Sequence, residues 1–160
     1  MEYYDLFKKY KSDCNVFFET GTHIGNSVDA AYKLGFNRII SIEREERFYD
    51  YCMNRFQPLD AWEQIKLFLG RSEDNIEKLV LEWVNDKALF WLDAHENNSP
   101  YKTEIEAILK HPKKNHTIIV DDIEVYYIDV DWIKNKLLEY NPSYKFKIYE
   151  KKSLVCTAQI

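Results

Sequence analysis

Residues 16–27 read Val16-Phe17-Phe18-Glu19-Thr20-Gly21-Thr22-His23-Ile24-Gly25-Asn26-Ser27, and the fold turns on this stretch. Three apolar residues running into an acid predict a short buried strand. Two glycines follow at Gly-x-x-x-Gly spacing. A residue without Cβ lets the backbone turn tightly and approach a ligand closely. From Ser27 to Leu34 the pattern is helical, with Gly35 just beyond it as a C-terminal cap. Strand, glycine turn and helix form the opening of an α/β unit. On its own the turn reads equally well as an ordinary strand-to-helix connection with a capping acid. The spacing is not the Gly-x-Gly-x-x-Gly of a dinucleotide site, and His23 stands where a middle glycine would be, a position that suits shaping the turn.

Outward from this unit the alternation continues. Arg38-Ile39-Ile40-Ser41-Ile42 predicts a second strand and Arg44 to Phe56 a helix, with Phe48, Cys52 and Phe56 four apart. Ile65 to Leu69 predicts a third strand stopped by Gly70. Ser72 reads as the N-cap of an amphipathic helix carrying Ile76, Leu79, Val80 and Trp83 inward. Ala88 to Leu92 is apolar throughout, as expected of a strand buried on both faces. Ser99-Pro100 opens a helix with Ile105, Ile108 and Leu109 inward, Thr117 to Val120 is a fifth strand, and Asp131 to Glu139 is a helix stopped before Pro142. Tyr144 to Tyr149 and Ser153 to Ala158 have no helix between them and should pair as an antiparallel hairpin. The expectation is a single α/β domain over residues 1–160, with an N-terminal helix in residues 1–12. Its Rossmann-like sheet has seven strands, mostly parallel, with the C-terminal hairpin antiparallel and helices on both faces.

Composition narrows the function classes. The chain has 160 residues, 46% hydrophobic and 31% charged, with only four glycines, so it is expected to bury a real core. A net charge of −5 argues against a nucleic-acid backbone as the main partner. No apolar run approaches the ~18 residues of a membrane span. The first residues lack the layout of a signal peptide, and three widely spaced cysteines fit neither a disulfide framework nor a zinc pattern, which suggests a reducing cytoplasm. Those cysteines, with Trp62, Trp83 and Trp132, read as packing residues. His111 and His116 flank a lysine-rich loop and are expected to be solvated.

In a doubly wound sheet, ligands bind at the carboxyl ends of the strands. Those ends carry Glu19 and the glycine turn, then Glu43, then Gly70-Arg71-Ser72, then Asp93 and His95, then Asp121 and Asp122. Glu43 lies 24 residues after Glu19, where a carboxylate can accept hydrogen bonds from both hydroxyls of a ribose. Glu19-Thr20-Gly21-Thr22-His23-Ile24-Gly25 followed by Ser41-Ile42-Glu43 resembles motifs I and II of the class I S-adenosylmethionine-dependent methyltransferases. The resemblance spans roughly Val16 to Ile160 and accounts for the late hairpin. It implies a methionine cradle from Glu19, Gly21, Thr22 and Gly25, ribose binding by Glu43, an adenine contact from Gly70-Arg71-Ser72, and Asp93 at the cofactor.

Asp93, Asp121 and Asp122 end neighbouring strands and can converge, and three oxygen donors suit Mg²⁺. The set is similar to the metal site of the macrocin type of metal-dependent sugar O-methyltransferase. There the metal orients two substrate oxygens and lowers the pKa of the attacking hydroxyl. Asp93 and His95 are the expected catalytic residues, with His95 as the base, a departure from the acid usual in that family. A strand-end aspartate equally often only caps the next loop, His95 equally reads as a solvated loop residue, and Tyr126 and Tyr127 can line a substrate mouth. The expected reaction is methyl transfer from S-adenosylmethionine to a hydroxyl of a small molecule or glycan. The expected alternatives are a metal-dependent hydrolase or oxygenase on the same scaffold, or a non-catalytic nucleoside-binding module. With about 15 residues before the first strand, the acceptor site is expected to be open, covered by a second subunit of a homo-oligomer, or matched to a large acceptor.

Overall fold

The computed structural model describes residues 2–59, 62–95 and 99–159. Its seven strands are β1 (Val16–Thr20), β2 (Arg38–Glu43), β3 (Ile65–Leu69), β4 (Ala88–Leu92), β5 (Thr117–Val120), β6 (Lys145–Tyr149) and β7 (Ser153–Thr157). They form one sheet in the order β3-β2-β1-β4-β5-β7-β6. The first five pair parallel, and β7 runs antiparallel to both β5 and β6. Six helices connect them: α1 (Glu2–Tyr10), α2 (Asn26–Lys33), α3 (Glu46–Phe56), α4 (Ser72–Trp83), α5 (Tyr101–Leu109) and α6 (Val130–Tyr140). A single 3-10 turn, Trp62–Gln64, leads into β3 and carries no signal in the sequence pattern.

Alternation along each strand sorts the core into two layers, because successive side chains point to opposite faces. Val16, Phe18, Ile40, Phe90, Leu92 and Ile118 pack with α4, α5 and α6. Phe17, Ile39, Leu89, Trp91, Ile119 and Val155 pack with α1, α2 and α3. Helices therefore cover both faces, which is why the central strands are apolar without a polar side. The chain reverses direction between β3 and β4, so β1 and β4 flank the switch point. The register sets Thr20 beside Leu92, leaving the glycine turn and Asp93 side by side at the strand ends.

Two expectations change. Ser72 is the first residue of α4 rather than its cap, and Arg71 before it makes no capping hydrogen bond from its side chain. The histidines flanking the lysine-rich loop are buried, not solvated: His111 is 7% exposed and His116 1%. They form a chain at the opposite end of the sheet from the glycine turn. The Ala88 N–H donates to His116 Nδ1 (3.1 Å), His116 Nε2 donates to His111 Nδ1 (2.9 Å), and His111 Nε2 donates to the Val84 carbonyl (2.8 Å). The two rings together link the Ala88 N–H at the start of β4 to the Val84 carbonyl at the end of α4, each using one nitrogen as acceptor and the other as donor, which a neutral imidazole can do and a lysine cannot.

Burial, then the neighbouring His111 and Lys113, holds His116 down at about 3 against an ordinary 6.5. The unfolded chain therefore binds this proton at higher pH than the native one. The stabilisation is complete above about pH 6.5 and is lost as pH falls toward 3. Buried acids elsewhere in the fold titrate over the same range in the opposite sense, so the His116 contribution is read as a difference: relative to His116→Gln, wild type should lose on the order of 3–5 kcal/mol in urea unfolding across that window. A wild-type pH profile parallel to that of His116→Gln between pH 6.5 and 4 would contradict the buried chain.

Candidate active site

The glycine turn is held against both neighbouring strands. Gly21 adopts φ +86°, and its N–H donates to the Ile42 carbonyl at 2.9 Å. A Cβ at Gly21 would lie 2.6 Å from the Asp93 carbonyl oxygen, so the missing side chain is what lets the β1 and β4 exits touch. Gly25, at φ +79°, has no room for a Cβ against Phe56 and Cys52 of α3. His23 shapes the turn as expected. At φ +49° its N–H donates to Glu43 Oε2 (2.7 Å), while its ring packs edge-on against Phe48 at 4.4 Å.

Glu43 is buried at the tip of β2, and its other oxygen accepts from the Glu45 N–H at 2.8 Å. A carboxylate offers about four acceptor positions. Two backbone donors fix its orientation and leave two positions for a ligand. It opens on a crevice of about 290 Å³ along the strand ends. Gly21 and Thr22 line one wall, Gly70, Arg71 and Ser72 another, and Asp93 and His95 a third. Glu73 and Tyr3 also line it, and neither carries a local sequence signal for a site. Arg71 pairs with Glu73 at 2.7 Å.

Glu19 and Gly25 lie behind the crevice wall. The Thr22 hydroxyl bonds Ser41, and the Ser41 hydroxyl donates to Glu19 Oε1 at 2.6 Å, which ties the turn to β2 from beneath. Burial, against the Ser27 and Ser41 hydroxyls, pushes the Glu19 carboxyl up to about 8. Glu104 of α5, which the sequence reading missed, is a second fully buried acid. Burial pushes it up to about 7 despite the nearby Ser72 and Thr20 hydroxyls.

At the ends of β4 and β5, Asp93, Asp121 and Asp122 converge, each offering an oxygen within 4.8 Å of the others. Burial and then the charges of Asp121 and Asp122 push Asp93 up to about 8. His95 is not solvated. Its side chain is 4% exposed, its Nδ1 meets the Ser99 hydroxyl at 3.1 Å, and its ring stacks on Tyr126 with centroids 4.7 Å apart. Its Nε2 points toward Asp93 Oδ1 at 3.8 Å and has no hydrogen-bond partner. Tyr127, by contrast, is exposed to solvent. Asp121 also accepts from the Ser153 hydroxyl at 2.6 Å and pairs with the Lys152 ammonium at 3.2 Å, which stands 3.7 Å from Asp122.

Strand order 3-2-1-4-5-7-6, the glycine turn at the switch point and the acid ending β2 together define the class I S-adenosylmethionine-dependent methyltransferase fold. Solved structures carry the same fold. An SAH-bound methyltransferase from Podospora anserina is similar over 99% of this chain and 77% of its own, at 15% identity and a TM-score of 0.74. An O-methyltransferase from Bacillus cereus, in complex with SAH, is similar over 99% and 79%, at 17% identity and a TM-score of 0.68. An rRNA methylase from Streptococcus thermophilus is similar over 98% and 94%, at 14% identity and a TM-score of 0.68. No family model and no curated protein sequence matches. Among the described residues no helix is long and apolar enough to cross a membrane.

Proposed function

We propose that this chain is an S-adenosylmethionine-dependent methyltransferase acting on a hydroxyl oxygen of a small molecule or glycan. The observation that carries this reading is Glu43. It is a buried carboxylate, oriented by two backbone N–H groups, with acceptor capacity left over beside the glycine turn. The structural neighbours support it, two of them described as bound to SAH and one as an O-methyltransferase. Glu43 would hold the ribose hydroxyls, the turn from Gly21 would face the methionine moiety, and Ser72 and Glu73 at the start of α4 would meet the adenine.

S-adenosylmethionine brings its methyl group already activated on a sulfonium, so the protein's main task is to align donor and acceptor at close range. The crevice walls supply that alignment. Asp93 stands where it meets both the cofactor crevice and the acidic trio. A divalent ion such as Mg²⁺ would be held by Asp93, Asp121 and Asp122, a hard oxygen donor set, and would acidify an acceptor hydroxyl there. His95, fixed by Ser99 and Tyr126, presents an open nitrogen to the same place and would take the acceptor's proton. The net charge of −5 and the acids lining the strand ends favour an uncharged acceptor over a nucleic-acid backbone.

Tritiated methyl transfer from S-adenosylmethionine to a panel of catechols and sugar diols, with Mg²⁺ and with EDTA, tests the reading. Asp93→Asn should lower transfer by about a hundredfold or more, while SAH affinity changes by less than about tenfold. Equal transfer by the variant would remove Asp93 from the chemistry. Transfer that is insensitive to EDTA would remove the metal and leave the methyltransferase.

A further inference from the structure

We propose that Lys152 is a built-in counter-ion of the acidic trio, so that a divalent ion binds Asp93, Asp121 and Asp122 only by displacing the lysine ammonium. The inference goes beyond methyl transfer and holds whatever reaction the site performs.

Three carboxylates brought within 4.8 Å of one another, one of them almost fully buried, repel strongly. A positive charge placed beside them relieves that repulsion in the folded chain. Lys152 supplies it, at 3.2 Å from Asp121 Oδ2 and 3.7 Å from Asp122 Oδ1. Its arrival is set by the backbone. Glu150 and Lys151 take positive φ (50° and 59°) in the turn between β6 and β7, and the Lys152 N–H closes that turn onto the Tyr149 carbonyl at 3.0 Å. The Lys152 carbonyl then accepts from the Ile123 N–H at 2.9 Å, pinning the hairpin turn to the loop that leaves β5. The side chain is 37% exposed, so a long flexible stem can swing the ammonium into solvent without moving this backbone.

A second observation marks the place as a site and not merely a cluster of acids. The His95 side chain is 4% exposed and its Nε2, without a partner, is directed at Asp93 Oδ1 from 3.8 Å. The Nδ1 hydrogen bond to Ser99 and the Tyr126 stack fix the ring in that direction. A histidine whose second nitrogen is held in this way is oriented to meet a cation or a substrate proton on the first.

The probe is Mn²⁺, titrated calorimetrically into the wild-type chain, Lys152→Met and Lys152→Arg. Without the competing charge, Lys152→Met should bind Mn²⁺ at least about tenfold more tightly than wild type, and Lys152→Arg no more tightly than wild type. In the wild-type chain, mass spectrometry after brief acylation should show Lys152 labelled several-fold faster with Mn²⁺ than with EDTA, because the displaced amine is freed. This second measurement needs no variant and stands even where a substitution fails to fold. Equal or weaker Mn²⁺ binding by folded Lys152→Met would overturn the proposal. So would labelling that is unchanged or slowed when Mn²⁺ is bound, or no Mn²⁺ binding by any of the chains. SAH titrated separately into the same samples in EDTA reports on the methyltransferase reading alone.

Discussion

Replacing Glu43 by alanine should weaken SAH binding by about a hundredfold to a thousandfold. The carboxylate is asked to do two things at once. It accepts from the His23 and Glu45 N–H groups, at 2.7 and 2.8 Å, and it would accept from two ribose hydroxyls. Hydrogen bonds to a charged group contribute about 1.5–3 kcal/mol each, and each decade of affinity corresponds to about 1.4 kcal/mol. The loss of two ligand bonds therefore reaches two to three decades after solvation offsets part of it. The same substitution leaves two backbone donors without their acceptor, so a fall of a few degrees in Tm should accompany it. Calorimetry on the folded variant separates the two effects. A Glu43→Ala chain that folds and binds SAH within threefold of wild type would show that the ribose lies elsewhere.

The second large effect is on Gly21→Ala. The new methyl would lie 2.6 Å from the Asp93 carbonyl oxygen and 2.9 Å from its carbon, and neither backbone atom can move without parting β1 from β4. The residue would also have to hold φ +86°. Positive φ and overpacking each cost about 1–3 kcal/mol, so a loss of roughly 3–5 kcal/mol is expected. At this chain length that corresponds to a Tm lower by about 10 °C. Gly35→Ala is the control, since Gly35 also has positive φ (+71°) but a Cβ there meets nothing within 4 Å. Its loss should be the smaller of the two, about 1 kcal/mol. Equal melting of the two variants would mean that the strand contact at Gly21 is not tight.

Much of this was legible in the sequence because it is local or periodic. The apolar strands, the helical spacings and the helix-free connection before Ser153 fix the sheet with its antiparallel end. Acids placed directly after strands mark the edge of the sheet where the crevice opens. What stayed hidden depends on contacts between distant segments. His111 and His116 sit among lysines in the sequence, and only the fold brings the ends of Val84 and Ala88 to them. Glu104 looks like a surface position on a short helix until α5 packs against α4 and buries it. Lys152 lies in a hairpin turn 31 residues after Asp121, with nothing nearby to mark it, and reaches the acids through a backbone hydrogen bond to Ile123. Ser72 was misread because serine before an amphipathic run is the usual capping signal, whereas here it has moved one residue into the helix and lines the crevice.

The most direct measurement is calorimetric titration of the full chain with S-adenosylmethionine, SAH and NAD in the presence of EDTA. Both adenosyl ligands should bind saturably at one per chain, NAD should not bind, and the adenosyl signal should be lost in Glu43→Ala. Absence of heat with either adenosyl ligand, at protein concentrations that detect millimolar affinity, would contradict the methyltransferase reading.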